Sequence, residues 1–128
     1  MNKLIIDVGS EKIFLMIISN ASIYNITHEN TKINYEKLTI IINDFLSSKN
    51  IKITNISAIY INQGSGSFAG IRNSMSVVKA FNVAKNIDYY CYNLDDFKDE
   101  KDLSYENIPN LCKKYKIKKN LINPIYIS

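Results

Sequence analysis

The spacing of apolar residues changes part-way along this 128-residue chain, and the change leaves few possible folds. Up to residue 27, three short apolar segments are separated by turn residues, as in strands joined into an antiparallel meander. They span residues 3–7, 12–18 and about 22–27. Beyond residue 34, segments with helical and strand-like spacing alternate. These patterns predict one α/β domain built on a mixed sheet.

Two amphipathic helices are predicted in the second part of the chain. The first has Asn34 as its N-cap and Glu36 in its first turn. Its apolar stripe comprises Leu38, Ile41, Ile42, Phe45 and Leu46. A buried strand over 56–61 leads to the second helix, and another strand follows over 88–92. The stripe of the second helix comprises Ile71, Met75, Val78 and Phe81.

The resulting order βββαβαβ, a meander followed by right-handed crossovers, predicts a specific fold class. It is a ribonuclease-H-like single lobe of the actin and sugar-kinase type, with a mixed five-stranded sheet and flanking helices. Residues 1–93 would form this lobe. Residues 94–128 would supply an acidic, solvated connection, a short helix from about residue 108, and a closing edge strand over 123–127.

Lysines crowd the end of that short helix. They are Lys113, Lys114, Lys116, Lys118 and Lys119. Cations suit the negative end of a helix dipole, so we interpret the cluster as a solvated helix end, with an RNA contact as the alternative. The net charge of +4 adds little, because Arg72 is the only arginine and RNA-binding patches usually contain several.

The composition also limits where the protein acts. No apolar run approaches the roughly 20 residues of a membrane-spanning helix. Asp7 interrupts the first apolar segment, which is untypical of a signal peptide. Cys91 and Cys112 are isolated and lack metal-ligand spacing. We therefore expect a cytoplasmic protein without a membrane partner and without a metal site of its own.

Two loops at predicted strand ends, where open α/β sheets bind ligands, are candidate phosphate or nucleotide sites. In the first, Asp7 would hold hydrated Mg²⁺ while Gly9 and Ser10 present N–H groups to a phosphate. The alternative is an ordinary hairpin turn, which favours the same residues. The second loop holds three of the chain's four glycines, and its candidates are Gly64, Ser65, Gly66 and Ser67. It lacks the Gly-Lys-Ser/Thr ending of a Walker A loop.

The second loop carries a family resemblance. Residues 64–72, Gly-Ser-Gly-Ser-Phe-Ala-Gly-Ile-Arg, resemble the signature of the TsaB (YeaZ) family, including Phe68, Gly70 and Arg72. The opening strand, the strand at 55–59 and the closing segment 123–127 also resemble that family. TsaB is an accessory protein in the biosynthesis of threonylcarbamoyladenosine in tRNA. The resemblance implies a shortened form that lacks most of the second lobe.

It further implies a non-catalytic scaffold subunit that pairs with a TsaD-like transferase, mostly through its two long helices. A TsaE-like ATPase would join through the complex, and tRNA would be contacted indirectly. Apolar residues beyond the core stripes fit such a surface, with a homodimer as an alternative partner. The candidates are Ile40, Ile71, Met75, Val77, Ala80 and Ala84. In the competing interpretation, residues 105–128 fold over these helices.

No catalytic residue is predicted, because the sequence contains no paired-carboxylate site and no histidine-assisted nucleophile. The chain should have no cofactor of its own, with ATP or ADP and Mg²⁺ bound only at a partner interface. Two alternatives remain. One is a minimal actin-like ATPase or kinase that uses Asp7 and the glycine-rich loop. The other is a ribonuclease-H-like nuclease or nucleic-acid-binding module, which would need further carboxylates near Asp7.

Overall fold

In a computed structural model, which describes residues 1–64 and 69–122, five strands form one mixed sheet of order β3-β2-β1-β4-β5. The strands are β1 (Asn2–Asp7), β2 (Lys12–Ile18), β3 (Ile23–Glu29), β4 (Ile56–Asn62) and β5 (Asp88–Tyr92). β1, β2 and β3 form the antiparallel meander, while β4 pairs parallel with β1 and β5 pairs parallel with β4. The predicted sheet and its element order are confirmed.

The described helices are α1 (Lys32–Glu36), α2 (Leu38–Ser48), α3 (Ala69–Lys85) and α4 (Ile108–Lys114). The prediction of Asn34 as the N-cap of the first long helix is wrong. Thr31 caps the short helix α1 by accepting a 3.3 Å hydrogen bond from the backbone N–H of Asn34. Lys37 is not helical, so it separates α1 from α2, which begins at the next residue. None of the described helices is long and apolar enough to cross a membrane.

Side chains alternate between the two faces of the sheet, and each face has its own core. On the first face, Leu4, Ile6 and Ile59 pack among the buried residues of α2 and α3. On the second face, Ile5 and Tyr60 pack under α4 and its preceding segment. The chain from residue 94 therefore covers the side of the sheet that the two long helices leave open.

The acidic connection after β5 is only partly solvated, which corrects that interpretation. Leu94–Phe97 forms a 3₁₀ turn in which Asp95 and Asp96 are exposed, but Phe97 is 1% exposed. Phe97 stacks on Tyr92 with 5.9 Å between ring centroids. An aromatic side chain of this size gains more from burial than from solvent exposure, so it anchors the connection to the sheet. The division of the chain at residue 93 stays a prediction.

In the competing interpretation, residues 105–128 fold over the two long helices, and the structure describes this segment up to residue 122. α4 lies across the sheet from α2 and α3. Asn120 lies along the free edge of β5, where its side-chain oxygen accepts a 2.9 Å hydrogen bond from the backbone N–H of Tyr89. Ile122 packs against the core of the first face. The predicted closing strand at 123–127 lies outside the described residues.

Buried thiols predict that the free energy of unfolding falls above pH 9. Burial raises the pKa of Cys91 and of Cys112 from 9.0 to about 12. In the unfolded chain these thiols ionise near pH 9, whereas in the folded chain they remain protonated, so rising pH favours unfolding. Each group lowers the free energy of unfolding by up to about 1.4 kcal/mol per pH unit in this range.

Urea unfolding between pH 7.5 and pH 10 measures this loss. The matched variant is Cys91→Val, which keeps an apolar side chain of similar size in a 1% exposed position but cannot ionise. Its free energy of unfolding should decline less steeply with pH than that of the wild type. Identical slopes for the two proteins would contradict the role of this thiol.

Candidate functional site

Asp7 is the centre of a buried hydrogen-bonded cluster at the carboxyl end of β1. Its side chain is 7% exposed, and three donors from separate segments contact it. Oδ1 accepts hydrogen bonds from the backbone N–H of Gly9 (2.8 Å) and from Nδ2 of Asn62 (3.2 Å). Oδ2 accepts a 2.7 Å hydrogen bond from the hydroxyl of Tyr105. The parallel pairing of β1 with β4 brings Asp7 and Asn62 to the same sheet edge.

Tyr105 reaches Asp7 from 98 residues further along the chain. Its ring stacks on Phe14 of β2, with 4.0 Å between centroids and 17° between planes. Burial raises the pKa of the Tyr105 hydroxyl well above its ordinary range, and the hydrogen bond to Asp7 raises it further. The hydroxyl therefore stays protonated as a hydrogen-bond donor, and it covers Oδ2 of Asp7.

The glycine-rich loop begins beside this cluster. Gly64 has a φ of +31°, a conformation that glycine adopts at low cost. Its backbone N–H donates a 2.8 Å hydrogen bond to Oδ1 of Asn62. The Asn62 amide thus links the two predicted loops, donating to Asp7 and accepting from Gly64. Ser65, Gly66 and Ser67 lie outside the described residues, so their phosphate-binding role stays a prediction, and the signature residue Phe68 lies outside them too.

The remaining loop candidates have structural contacts. Ser10 is exposed, and its hydroxyl is hydrogen bonded to both the carbonyl (3.2 Å) and the N–H (3.3 Å) of Lys12, as in an ordinary turn. The side chain of Asn30 donates to the carbonyls of Val8 (3.0 Å) and Ser10 (2.7 Å), which fixes the hairpin. Gly70 lies buried at the start of α3, close to that hairpin. Arg72 is exposed on the same helix.

These contacts occupy groups that the sequence analysis assigns to a magnesium ion or a phosphate at Asp7, and that assignment stays a prediction. Mg²⁺ keeps several water ligands and binds through one or two carboxylates, and both oxygens of Asp7 accept hydrogen bonds from the chain in this structure. Among residues 1–64 and 69–122, no three Asp, Glu, His or Cys side chains gather into a possible metal site. The N–H groups of Gly9 and Gly64, which we expected to face a phosphate, donate to side chains instead.

Two neutral polar atoms near this edge have no hydrogen-bond partner in the described part of the chain. They are Oε1 of Gln63 and the hydroxyl of Tyr92. Burial raises the pKa of Tyr92 well above its ordinary value, and the charge of Asp7 raises it further. The hydroxyl is therefore un-ionised at neutral pH, which leaves Asp7 as the charged member of this group.

Sequence reasoning found Asp7 and the glycines but missed the residues that hold them. Asn62 and Gln63 had a detectable signal, because they are a polar pair directly after the buried strand that the sequence predicts over 56–61. Tyr105 had none, since it follows an acidic stretch that resembles a solvated connection. Among the partner-surface candidates, Ile40 is 59% exposed, and Ala80 and Ala84 are also exposed. Met75 and Val77 are half-buried, while Ile71 is 4% exposed and packs inside the molecule.

Comparisons with known proteins establish the fold. No family model matches the chain, and no curated protein does. Among solved structures, YeaZ from Pseudomonas aeruginosa matches with a TM-score of 0.66 and 17% identity, over 72% of this chain and 43% of that chain. A second structure, described as an uncharacterized protein with similarity to the peptidase YeaZ from the same organism, gives the same values. The chain thus spans less than half the length of these structures.

RuvC from Thermus thermophilus is also similar. Its complex with a Holliday junction substrate matches with a TM-score of 0.55 and 10% identity, over 98% of this chain and 86% of that chain. The fold is ribonuclease-H-like. The fold prediction is therefore confirmed, and the likeness to YeaZ is consistent with the resemblance to a shortened TsaB. At sequence identities of 10–17%, these similarities establish the fold only.

Proposed function

We propose that this protein is a non-catalytic scaffold subunit that pairs with a TsaD-like transferase in the threonylcarbamoylation of adenosine in tRNA. The observation that carries the proposal is the position of the signature segment in a fold like that of YeaZ. Gly64, the first residue of this segment, contacts Asn62 of the Asp7 cluster, and its last residues, 69–72, form the first turn of α3. A TsaE-like ATPase and tRNA would be reached through the complex.

The closed state of the Asp7 cluster supports a scaffold over an ATPase or kinase. Its carboxylate is held by Gly9, Asn62 and Tyr105, all within one chain. A nucleotide with Mg²⁺ would have to displace these donors. On this proposal the chain has no cofactor of its own, and ATP or ADP with Mg²⁺ binds beside the Asp7 cluster only where a partner completes the site.

An exposed apolar stripe on α3 supports the pairing. Ala80, Val83 and Ala84 are exposed, and they lie three and four residues apart on one side of the helix. Val83 is 78% exposed, and with the two alanines it forms a contiguous apolar strip on the helix surface. Ile40 lies on α2, which contacts α3, and is 59% exposed. We take this surface, the α2–α3 face, as the site that meets the transferase.

Replacement of Ala80 by glutamate tests the α2–α3 face. Ala80 is exposed, so Ala80→Glu should fold with an unchanged melting temperature. A charge buried at the interface should weaken binding to the TsaD-like protein of the same source by about tenfold or more. Isothermal titration calorimetry measures the affinity, and threonylcarbamoyladenosine formation by the reconstituted complex should fall with it.

The matched control is Asn20→Glu, which adds the same charge at the exposed turn between β2 and β3. It should bind like the wild type. Equal binding by Ala80→Glu and wild type would show that the α2–α3 face is wrong. Self-association of the wild type that is lost in Ala80→Glu would identify a second copy of the chain as the partner. Absence of any binding by the wild type would rule out both partners.

A further inference from the structure

A groove of about 460 Å³ opens between the sheet and α4, away from the Asp7 cluster. Its floor is aromatic. Tyr60 of β4 and Tyr90 of β5 are direct partners in the sheet and stack with 5.0 Å between centroids and 10° between planes. Tyr60 is buried, but Tyr90 is half-buried and keeps part of its ring open to solvent. The volume is in the range of small-ligand sites.

The rim of the groove is cationic. Lys3 of β1, Lys113 in the last turn of α4 and Lys116 just after that helix line it, together with Asn110. No carboxylate among the described residues lines it. Neighbouring lysines of the same cluster are neutralised elsewhere, since Lys114 pairs with Glu100 and Lys119 lies 3.6 Å from Asp88. Lys3, Lys113 and Lys116 make no ion pair with the described residues, so their charges remain uncompensated at the groove.

Lys116 has an unusual backbone conformation at the groove. Its φ is +55°, in the left-handed region that non-glycine residues rarely adopt. The other non-glycine residues with positive φ in the described chain are Asn50, Asn86 and Asn120. Asparagine tolerates this conformation better than lysine does. The lysine at position 116 therefore costs more stability than an asparagine would at the same position. The long cationic side chain at this position lines the groove.

We propose that this groove, the Lys3–Tyr90–Lys116 groove, binds a nucleotide unit, with its base against the tyrosine pair and its phosphate among the three lysines. Aromatic side chains bind bases of any sequence by stacking, and lysines bind the phosphate as point charges. The source of the unit is either a free mononucleotide or an unpaired nucleotide of an RNA strand. The groove lies across the sheet from the α2–α3 face, so nucleotide binding there is independent of the transferase pairing.

Nuclear magnetic resonance titration of the isolated chain with AMP, with inorganic phosphate and with a single-stranded RNA hexamer tests the proposal. AMP and the hexamer should shift the backbone amide signals of residues 3, 60, 90 and 113–117. Binding should weaken as salt is raised. A hexamer affinity more than tenfold above that of AMP identifies RNA as the source, and similar affinities identify free nucleotides. Phosphate alone should bind at least about tenfold more weakly, because it cannot stack.

Lys116→Asn separates binding from folding. Asparagine suits the left-handed conformation, so the variant should melt no lower than the wild type, yet its affinity for AMP or the hexamer should fall about fivefold or more. Lys118→Asn is the matched control, because it removes the same charge two residues away at an exposed position outside the groove. Tyr90→Leu should weaken binding by about tenfold through loss of stacking.

Three results would overturn the proposal. The first is the absence of any shift with AMP or the hexamer at low salt. The second is phosphate binding as tight as AMP binding, which would mean charge attraction only. The third is equal loss of affinity in Lys116→Asn and Lys118→Asn, which would mean a diffuse basic surface and no groove site.

Discussion

Gly70→Ala should destabilise the protein by about 1–3 kcal/mol, although alanine normally favours a helix over glycine by about 1 kcal/mol. Gly70 is buried in the first turn of α3, where a Cβ would lie 2.6 Å from Cγ1 of Val8. It would also lie 3.0 Å from Oδ1 of Asn30 and 3.3 Å from Cδ2 of Tyr35. Val8 is fully buried and Asn30 is hydrogen bonded to the hairpin, so neither can move away cheaply.

Urea unfolding of a double-mutant cycle with Val8→Ala measures this contact. Val8→Ala removes the methyl groups that the new Cβ would meet, at the cost of a cavity. If the clash is the cause, the double variant should be no less stable than Val8→Ala alone. Ser76→Ala, at an exposed position further along α3, is the control for alanine in this helix and should cost little. A Gly70→Ala protein as stable as the wild type would show that the hairpin and helix are not in firm contact.

Tyr105→Phe should lower the free energy of unfolding by about 1.5–3 kcal/mol, the usual value of a hydrogen bond to a charged group. The variant removes the 2.7 Å hydrogen bond to Oδ2 of Asp7 and leaves that oxygen without a protein donor in the described structure. Phenylalanine keeps the ring that stacks on Phe14. The change therefore isolates the hydroxyl from the packing of the ring.

Tyr115→Phe is the matched control for this experiment. It removes the same hydroxyl from a hydrogen bond to a carboxylate, the 2.9 Å bond to Glu100, but at a more solvated site where water can replace it. Its loss of stability should be clearly smaller. Asp7→Asn in the Tyr105→Phe background completes the cycle, since removal of the charge should restore part of the loss. Equal losses in the two tyrosine variants would mean that Asp7 is reached by water, and the closed cluster would be wrong.

The sequence predicted the secondary structure well where periodicity is local. Strand β5 begins and ends where the sequence predicts it, at Asp88 and Tyr92, because its strand-favouring tyrosines lie within a few positions. The N-cap was misplaced because Thr31 and Asn34 are both good capping residues three positions apart. Which of them caps depends on where β3 ends, and the pattern placed that end two residues early, at Thr27 where the structure has Glu29.

The candidate site was predictable only in part. The residue types at Asp7, Gly9 and Gly64 indicated a turn or a ligand loop, and their spacing could not distinguish the two. The distinction came from hydrogen bonds that cross the chain, 55 residues to Asn62 and 98 residues to Tyr105. Burial of Phe97 within an acidic stretch was likewise decided by the sheet face above which it lies.

The sequence by itself thus determined the order of strands and helices, the apolar stripes and the signature segment, because these depend on neighbours within one or two turns of chain. Only the tertiary structure decided that Tyr105 covers Asp7 and that Lys3 joins Lys116 at one groove. Those pairs have no signal in local spacing, since their distance is set by how the segment after β5 packs on the second face of the sheet.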